Sequence, residues 1–256
     1  MKKIILIILT LFLFLINTNL SADAAMTKKD YRVVAEDGFS INATLTYPKV
    51  KGQQEYKTVV LLHSLGYNSQ WWETLPNDLL SLGYAVLTID IRGHGTSIYN
   101  KNLSRVSWKS MTNKAYSKCP DDVVDVINYI NEENPKVAFF NNWVIVGSDI
   151  GASIGVIAAD RLSVKPKTIV MLSPVVKAKG LYIPVSMAQL GNVDFLAITG
   201  QGDVVSKKSQ EYLKKFAQAG FVEYEANAKA LGMLLLKKDP DLSKIITEWI
   251  TQYLPL

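Results

Sequence analysis

Two overlapping five-residue frames near the middle of the chain could carry a nucleophile. The stretch VGSDIGASIG contains a G-x-D-x-G frame centred on Asp149 and a G-x-S-x-G frame centred on Ser153. Glycine on both sides of a reactive residue is typical of a sharp strand-to-helix turn, which presents the central side chain above the end of the strand. A carboxylate or a hydroxyl held there can attack an electrophilic carbon.

The strand that leads into the turn decides between the two frames. The apolar run Trp143–Val146 continues directly into Gly147, so the turn at its end is predicted to centre on Asp149. Ser153 lies four residues later, about one turn into the following helix and on a similar face. Small residues at such positions allow a helix to pack closely on a sheet. The pattern therefore predicts Asp149 at the nucleophile position and a packing role for Ser153.

Strand-like and helix-like segments alternate through the rest of the chain. Tyr31–Glu36 and Ser40–Tyr47, separated by Asp37-Gly38, are typical of an antiparallel hairpin. Further strands are predicted at 57–63, 84–91, 143–147, 168–172, 195–199 and 221–226, and helices at 72–82, 122–134, from about 150, 206–219 and 242–254. This alternation indicates an α/β fold with a mostly parallel central sheet and helices on both faces. Functional sites in such sheets lie at the carboxyl ends of the strands.

Several motifs at those strand ends occur in an order that resembles the α/β-hydrolase superfamily. They are LLHSLG (61–66), DIRGHGTS (90–97), the turn at Asp149, ITGQGDVVS (198–206) and the segment 230–250. The resemblance covers nearly all of the chain after residue 24, and it is nearest to small esterases and dienelactone-hydrolase-like members. Residues 175–193 are too few for a separate lid, so no large cap domain is expected.

The resemblance also implies roles for individual residues. It implies that the backbone N–H groups of Leu65 and Ile150 form the oxyanion hole and that Asp203 is the acid of a catalytic triad. The family has histidine followed by glycine near the end of the chain, where this sequence has Leu231-Gly232. Leucine cannot accept a proton, so the position of the general base is degenerate.

The chain has only two histidines, and both precede the turn. His63 is predicted to order the oxyanion loop, and His94 is expected to make a backbone hydrogen bond within its own turn. His63, Ser64 and Trp71 are predicted to line a pocket beside the oxyanion loop, while one tryptophan of the Trp71-Trp72 pair is expected to pack beneath the following helix.

Two functions are compatible with these residues. The first is a catalytically impaired protein that retains a pocket for a small molecule or for a partner. The second is an active hydrolase of esters, lactones, haloalkanes or epoxides, with Asp149 as nucleophile and an unidentified base, because haloalkane dehalogenases and epoxide hydrolases use G-x-D-x-G. If Asp149 and Asp203 both face the gap left by histidine, their charges repel, and one carboxyl keeps a proton or the pair attracts a cation such as Lys229.

The first 24 residues have the three parts of a secretory signal peptide. Met1–Lys3 is cationic, Ile4–Ile16 is apolar apart from Thr10, and Ser21–Ala24 supplies small residues for cleavage. We therefore expect residues 25–256 to form a single α/β-hydrolase domain that is exported to the periplasm or the cell exterior. The alternative is an uncleaved N-terminal membrane anchor, although the apolar run is shorter than the ~18 residues that usually span a bilayer.

Charge and cysteine content restrict the partners. Loss of Lys2, Lys3 and Asp23 would change the formal net charge from +5 to +4, and the remaining charges are spread without a long basic run. This pattern is not that of a nucleic-acid-binding surface. Cys119 is the only cysteine, so an internal disulfide cannot form. The sequence predicts no metal, no cofactor and no membrane span after cleavage, and it leaves the ligand and the oligomeric state open.

Overall fold

The protein is described here from a computed structural model that covers residues 25–53, 55–134 and 137–256. The predicted signal peptide therefore lies outside the described residues. The strands are β1 (Met26–Val34), β2 (Ser40–Pro48), β3 (Tyr56–Leu62), β4 (Ala85–Ile89), β5 (Ala138–Ser148), β6 (Thr168–Leu172), β7 (Lys177–Ala178), β8 (Leu181–Tyr182), β9 (Asp194–Gly200) and β10 (Phe221–Ala226).

Helices alternate with these strands. They are α1 (Leu75–Leu82), α2 (Asn113–Tyr116), α3 (Cys119–Glu133), α4 (Ile150–Arg161), α5 (Pro184–Gln189), α6 (Val204–Leu213), α7 (Leu234–Lys238) and α8 (Leu242–Tyr253), with 3₁₀ turns at Ser69–Trp71 and Trp108–Ser110. Within the described ranges, no helix has the length and the apolar character that crossing a membrane requires.

Eight of the described strands form one sheet in the order β1-β2-β4-β3-β5-β6-β9-β10. The strands from β4 to β10 in this order run parallel to one another, whereas β2 pairs antiparallel with both β1 and β4. This is the predicted mostly parallel α/β sheet, and the fold class is confirmed. The carboxyl ends of β3, β5, β6 and β9 lie at one edge of the sheet, where the motifs of the sequence also fall.

Apolar side chains cover both faces of this sheet. On β3, Val60 and Leu62 belong to the core under α3, α4 and α5, while Val59 and Leu61 belong to the core under α1, α7 and α8. All four are fully buried, as expected for a parallel strand with helices on both sides. The small hairpin β7–β8 and helix α5 occupy residues 177–189, so the segment between β6 and β9 is too short for a cap domain.

Helix α6 differs from its sequence prediction. It extends over Val204–Leu213, whereas the lysine-rich pattern predicts 206–219. The early start follows from Asp203, whose carboxylate caps the helix by accepting a hydrogen bond from the Ser206 N–H. After Leu213 the chain turns because Phe216 packs against the core, a tertiary contact that helix periodicity does not reveal.

A buried arginine, Arg92, links the β1–β2 hairpin to helix α3. Arg92 makes two hydrogen bonds to Asp122 on α3, at 2.6 and 2.8 Å, and pairs with Asp37 in the β1–β2 turn. Its guanidinium also lies 4.5 Å from the centre of the Phe39 ring. Residues from three separate parts of the chain therefore meet at one cation.

Charged side chains flank β10, which forms one edge of the sheet. Glu225 pairs with Lys207 of α6 at 2.8 Å, and Glu223 pairs with Lys214, the residue that follows α6, at 3.1 Å.

Candidate active site

The strand-to-helix turn centres on Asp149. Strand β5 ends at Ser148, helix α4 begins at Ile150, and Asp149 between them has φ 52° and ψ −117°. Its N–H donates to the Leu172 carbonyl at 2.8 Å. Positive φ is rare for a residue with a side chain, and such strain is concentrated at functional sites. The strained residue of this turn is therefore the aspartate.

Close packing explains the glycine after the turn. A Cβ built on Gly151 would lie 2.1 Å from the Leu62 carbonyl oxygen and 2.5 Å from that of His63. Both are backbone atoms of the neighbouring strand and cannot move independently. The glycine lets α4 begin directly against β3, which brings the turn next to the loop that follows that strand.

The Asp149 carboxylate binds one of the two backbone groups assigned to the oxyanion hole. Its Oδ2 accepts a hydrogen bond from the Leu65 N–H at 3.2 Å, and the adjacent Ile150 N–H lowers its pKa. An oxyanion hole normally stabilises charge that develops on a substrate oxygen. Here a carboxylate of the protein itself engages the Leu65 donor.

Opposing effects act on the pKa of Asp149. Burial raises it and the charge of Asp203 adds to the rise, while the Leu65 and Ile150 N–H groups and Lys179 lower it, and the net pKa is above the ordinary aspartate value. The charge of Asp203 therefore acts on the turn, although β6 separates the two strands that carry these residues.

Asp203 follows β9 and begins α6. Its Oδ1 accepts a hydrogen bond from the Ser206 N–H at 3.0 Å. Its Oδ2 is buried and has no hydrogen-bond partner among the described residues. The side chain is thus fixed by one oxygen, while the other is available at the position where the family places the bond to histidine.

Leu231 lies in the loop beside Asp203 but does not fill the place of an imidazole. The Gln201 N–H donates to the Ala228 carbonyl at 2.8 Å, which holds this loop against the end of β9. Leu231 itself is 59% exposed, and its side chain has no donor for the Asp203 carboxylate.

Three serines at the carboxyl ends of β3, β5 and β6 form a hydrogen-bond network that holds the loop containing Leu231. The sequence did not predict this network. Ser173 Oγ accepts from the Gly232 N–H at 2.9 Å, and Ser64 Oγ lies 2.7 Å from Ser148 Oγ. The Met233 N–H reaches Ser64 Oγ at 3.4 Å. The sequence feature that could have indicated this network is the serine at the carboxyl end of each of β3, β5 and β6.

Both histidines are buried and form hydrogen bonds with nearby backbone groups. In His63, Nε2 accepts from the Ile91 N–H at 2.9 Å while Nδ1 donates to the Ser64 carbonyl at 2.8 Å. Burial lowers the pKa of His63 to about 4. His94 Nδ1 donates to the Arg92 carbonyl at 3.0 Å, and its ring stacks on Trp108. Both ring nitrogens of His63 are thus committed to backbone groups, and neither histidine stands at the base position, where the chain has Leu231.

The predicted pocket residues differ in how they meet solvent. His63 is fully buried and Ser64 nearly so. Trp71 is 43% exposed and makes an edge-to-face contact with Tyr67 at 5.1 Å between ring centres. Trp72 is buried under α1, so one tryptophan of the pair packs in the core as expected.

Two further nucleophilic side chains lie inside the core. Ser153 is fully buried on α4, and its hydroxyl has no partner among the described residues. Cys119 is also buried, and burial raises the pKa of its thiol. Neither group is accessible to a substrate.

The sheet order, the strained turn and the acid at the end of β9 define an α/β-hydrolase. The chain belongs to the family described as serine aminopeptidase, S33, whose model matches residues 53–222. The match includes the turn at Asp149 and the acid position at Asp203. A search of curated proteins found no matching sequence.

Solved structures with the same fold are esterases and lipases of low sequence identity. A cold-adapted esterase from an Arctic intertidal metagenomic library has a TM-score of 0.67 and 13% identity, with 93% of this chain and 98% of that chain covered. An esterase from Pyrococcus furiosus has a TM-score of 0.68 and 14% identity, covering 94% and 95% of the two chains. An esterase from Exiguobacterium antarcticum has a TM-score of 0.61 and 15% identity, covering 87% and 100%. These likenesses establish the fold alone.

Proposed function

We propose that this chain is an exported esterase-type α/β-hydrolase-fold protein, of the dienelactone-hydrolase-like kind, that is catalytically impaired and binds a small molecule or a partner. One observation carries the proposal: the Asp149 carboxylate accepts the Leu65 N–H that would otherwise stabilise a substrate oxyanion. A negative group at this position opposes the charge that ester hydrolysis develops there.

The degenerate base position supports the same conclusion. Ester hydrolysis by this fold requires histidine to take a proton from the nucleophile and to give it to the leaving group. The chain has leucine at that position, and its two histidines are buried elsewhere. Binding does not need proton transfer, so a binding site can persist without the triad.

The direct test is a screen of the purified protein against aryl esters, lactones, haloalkanes and epoxides. We expect no turnover above the uncatalysed rate. Turnover that Asp149→Ala abolishes and Ser153→Ala preserves would refute impaired catalysis and would identify Asp149 as a working nucleophile.

Introducing the triad serine and histidine at positions 149 and 231 tests whether these two positions are assigned correctly. In Asp149→Ser with Leu231→His, the serine no longer fills the oxyanion hole and the imidazole can reach the free oxygen of Asp203. We expect ester hydrolysis to rise at least tenfold above both single variants, because triad members act as a unit. The single variants are the controls, and a folded double variant without any gain would contradict the proposal.

A second candidate function is a single reaction in which the Asp149 carboxylate is alkylated and the protein does not turn over. Asp149 lies at a strained turn where its carboxylate accepts the Leu65 N–H, and a carboxylate oxygen held there can displace a halide or open an epoxide. With a haloalkane, the product would be an ester between Asp149 and the alkyl group, and halide would be released. With an epoxide, the ring C–O bond would break and the alkoxide, which stays on the same alkyl group, would take a proton from water. Intact mass spectrometry after incubation with a haloalkane would show the added alkyl mass, and Asp149→Asn is the control.

We also propose export, based on the signal-like composition of residues 1–24. Expression in a bacterial host followed by fractionation and mass measurement tests it. The expected product is a chain shortened at Ala24 outside the cytoplasm, and an unshortened chain in the membrane fraction would favour the anchor alternative.

A further inference from the structure

A polar cleft lies on the part of the sheet that β1, β2 and β4 form, next to the 3₁₀ turn that follows the oxyanion loop. It encloses about 330 Å³. Among the described residues that line it, every one except Ala43 has a side chain that can form hydrogen bonds. Ligand pockets in proteins usually enclose about 300–1,000 Å³, so the cleft is large enough for a small molecule.

Three neighbouring strands supply the floor of the cleft. In the register of the sheet, Asp30 of β1 lies opposite Thr44 of β2, and Thr44 lies opposite Thr88 of β4. Side chains opposed in this way share one face of a sheet, with their Cβ atoms about 5 Å apart. The Thr44 hydroxyl donates to Asp30 Oδ1 at 2.6 Å. One row of the floor therefore carries two hydroxyls and a carboxylate.

This polar row extends inward from the edge of the sheet. On β2, Ile41 and Leu45 are buried in the core, whereas Thr44 on the opposite face is half-buried, as expected for a strand with one solvated face. On β4, Val86 belongs to the apolar core under α1, but Thr88, two residues later on the same face, is half-buried and lines the cleft. The apolar core on this face therefore gives way to polar side chains at the cleft.

One buried carboxylate holds the two loops that line the cleft. Asp90 is 6% exposed, and its Oδ1 accepts a hydrogen bond from the Ser69 N–H at 2.9 Å. Its Oδ2 accepts from the N–H and the hydroxyl of Thr96 at 2.8 and 2.9 Å. Asn42 of the floor also binds the Thr96 loop, since its Nδ2 donates to the Thr96 carbonyl at 2.7 Å. The cleft is thus formed before a ligand enters, which lowers the entropic cost of binding.

The lining selects a neutral ligand with several hydroxyl groups. Lys28 and Asp30 pair with each other at 3.6 Å, and the charge of Asp90 is met by the donors of Ser69 and Thr96. The charges of the cleft are therefore compensated within the protein. Hydroxyl and amide side chains both donate and accept hydrogen bonds, which matches a molecule that carries many hydroxyls. An apolar molecule would find little aliphatic surface there.

We propose that this cleft binds a saccharide, with one sugar ring on the row formed by Asp30, Thr44 and Thr88. The ring hydroxyls donate to the Asp30 carboxylate and exchange hydrogen bonds with the two threonines, and the Gln70 amide binds a hydroxyl from the 3₁₀ turn. This inference goes beyond the proposed function, because the cleft has no lining residue in common with the Asp149 turn and needs none of the triad positions.

The test titrates the methyl glycosides of glucose, galactose and xylose into the ¹⁵N-labelled protein, with cyclohexanol as a ring that has a single hydroxyl. Backbone amide shifts report where each molecule binds. We expect at least one glycoside to bind with a millimolar Kd and about tenfold more tightly than cyclohexanol, because the cleft offers several hydrogen bonds to hydroxyls. The largest shifts should map to Thr44, Ser69, Gln70 and Thr88.

Two variants remove single polar groups from the cleft. Thr88→Val deletes a hydroxyl of the floor and keeps the β-branched shape that suits a strand. Gln70→Met deletes the amide of an exposed side chain on the 3₁₀ turn. Each should weaken glycoside binding about fivefold. Thr46→Val is the matched control, because Thr46 lies on the same face of β2, opposite Lys28, but does not line the cleft.

The outcomes separate this inference from the proposed function. No saturable shift with any of the glycosides, equal binding of cyclohexanol, or an equal loss in Thr46→Val and Thr88→Val overturns the inference. Glycoside shifts centred on Leu65 and Leu231 would place the sugar at the Asp149 turn and would overturn it as well. None of these results bears on impaired catalysis, which the ester screen tests, and ester turnover that requires Asp149 would leave the saccharide cleft intact.

Discussion

At the scale of single residues, the identity of Asp149 decides the chemistry of the site. The turn requires the same strained backbone whichever residue occupies it. The Asp149 carboxylate accepts a hydrogen bond from the Leu65 N–H, whereas the shorter side chain of a serine would leave this N–H free for a substrate. The Leu65 N–H, which in an oxyanion hole donates to a substrate oxygen, here donates to the Asp149 carboxylate instead. This change needs no alteration of the sheet or of the neighbouring helices.

Replacing Asp149 by asparagine should make stability depend less on pH. The folded pKa of Asp149 is raised mainly by burial, so its contribution to stability is present at low pH and is lost as pH rises through the folded pKa. We expect Asp149→Asn to be more stable than the native protein near neutral pH and the difference to shrink towards pH ~4. Urea denaturation at both pH values measures it.

Glu211→Gln controls for the loss of one negative charge in that comparison, because Glu211 is exposed on α6. A neutral-pH stability of Asp149→Asn below that of the native protein would contradict the assignment of burial as the main effect.

Ser153→Ala should leave the fold intact. The hydroxyl is fully buried without a partner among the described residues, so its removal is expected to be neutral or to stabilise by up to about 1 kcal/mol. Thermal unfolding of the variant and of the native protein provides the measurement. A loss of more than about 1 kcal/mol would mean that the hydroxyl has a bonding role in the folded protein.

At the scale of elements, the contact between α4 and β3 positions the turn. Gly151→Ala would place a methyl group against two carbonyl oxygens of the strand and should destabilise by about 3 kcal/mol or prevent folding. Gly155→Ala is the matched control, since its Cβ would meet side-chain methyl groups of Ile145 and Leu62, at 2.8 and 3.1 Å, instead of backbone oxygens. Higher helix propensity offsets part of that crowding, so Gly155→Ala should destabilise less than Gly151→Ala, by about 1–2 kcal/mol.

Chemical denaturation of the two glycine variants gives the comparison directly. Equal destabilisation would show that the close approach at Gly151 does not limit how the helix begins.

The elements also show how much the sequence predicts. Strands β6 and β10 begin and end at the predicted residues. Every residue of β6 is buried, which gives a continuous apolar signal, whereas in the edge strand β10 only Ala226 is buried. Helix α7 (Leu234–Lys238) was not predicted, since five residues show too little periodicity. The turn at Asp149 could be located because a strand leads into it, whereas the contacts among Ser64, Ser148 and Ser173 depend on which strands become neighbours.

At the scale of the whole molecule, Arg92 joins the β1–β2 turn to helix α3 at a buried position, in addition to the contact between Tyr31 of β1 and Tyr129 of α3. Removing it would leave the nearly buried Asp122 without its partner, and breaking a buried ion pair in this way typically costs about 3–5 kcal/mol. We therefore expect Arg92→Met to destabilise the protein by about that amount in urea denaturation. Hydrogen exchange should increase first in the β1–β2 hairpin.

Arg161→Met is the matched control for this prediction. Arg161 pairs with Asp121 on the same helix as Asp122, but both side chains are largely solvated, and such pairs contribute about 0–1 kcal/mol. Similar losses for the two arginine variants would argue against a special role of the buried cation.

The charged flank of β10 has a consequence for how this protein behaves at high concentration. An edge strand presents unpaired backbone groups that can recruit the edge of another molecule and begin fibrous aggregation. Glutamates along β10, paired with Lys207 of α6 and with Lys214 just after that helix, place solvated charge where a second strand would have to approach. The sheet thereby carries its own protection against self-association.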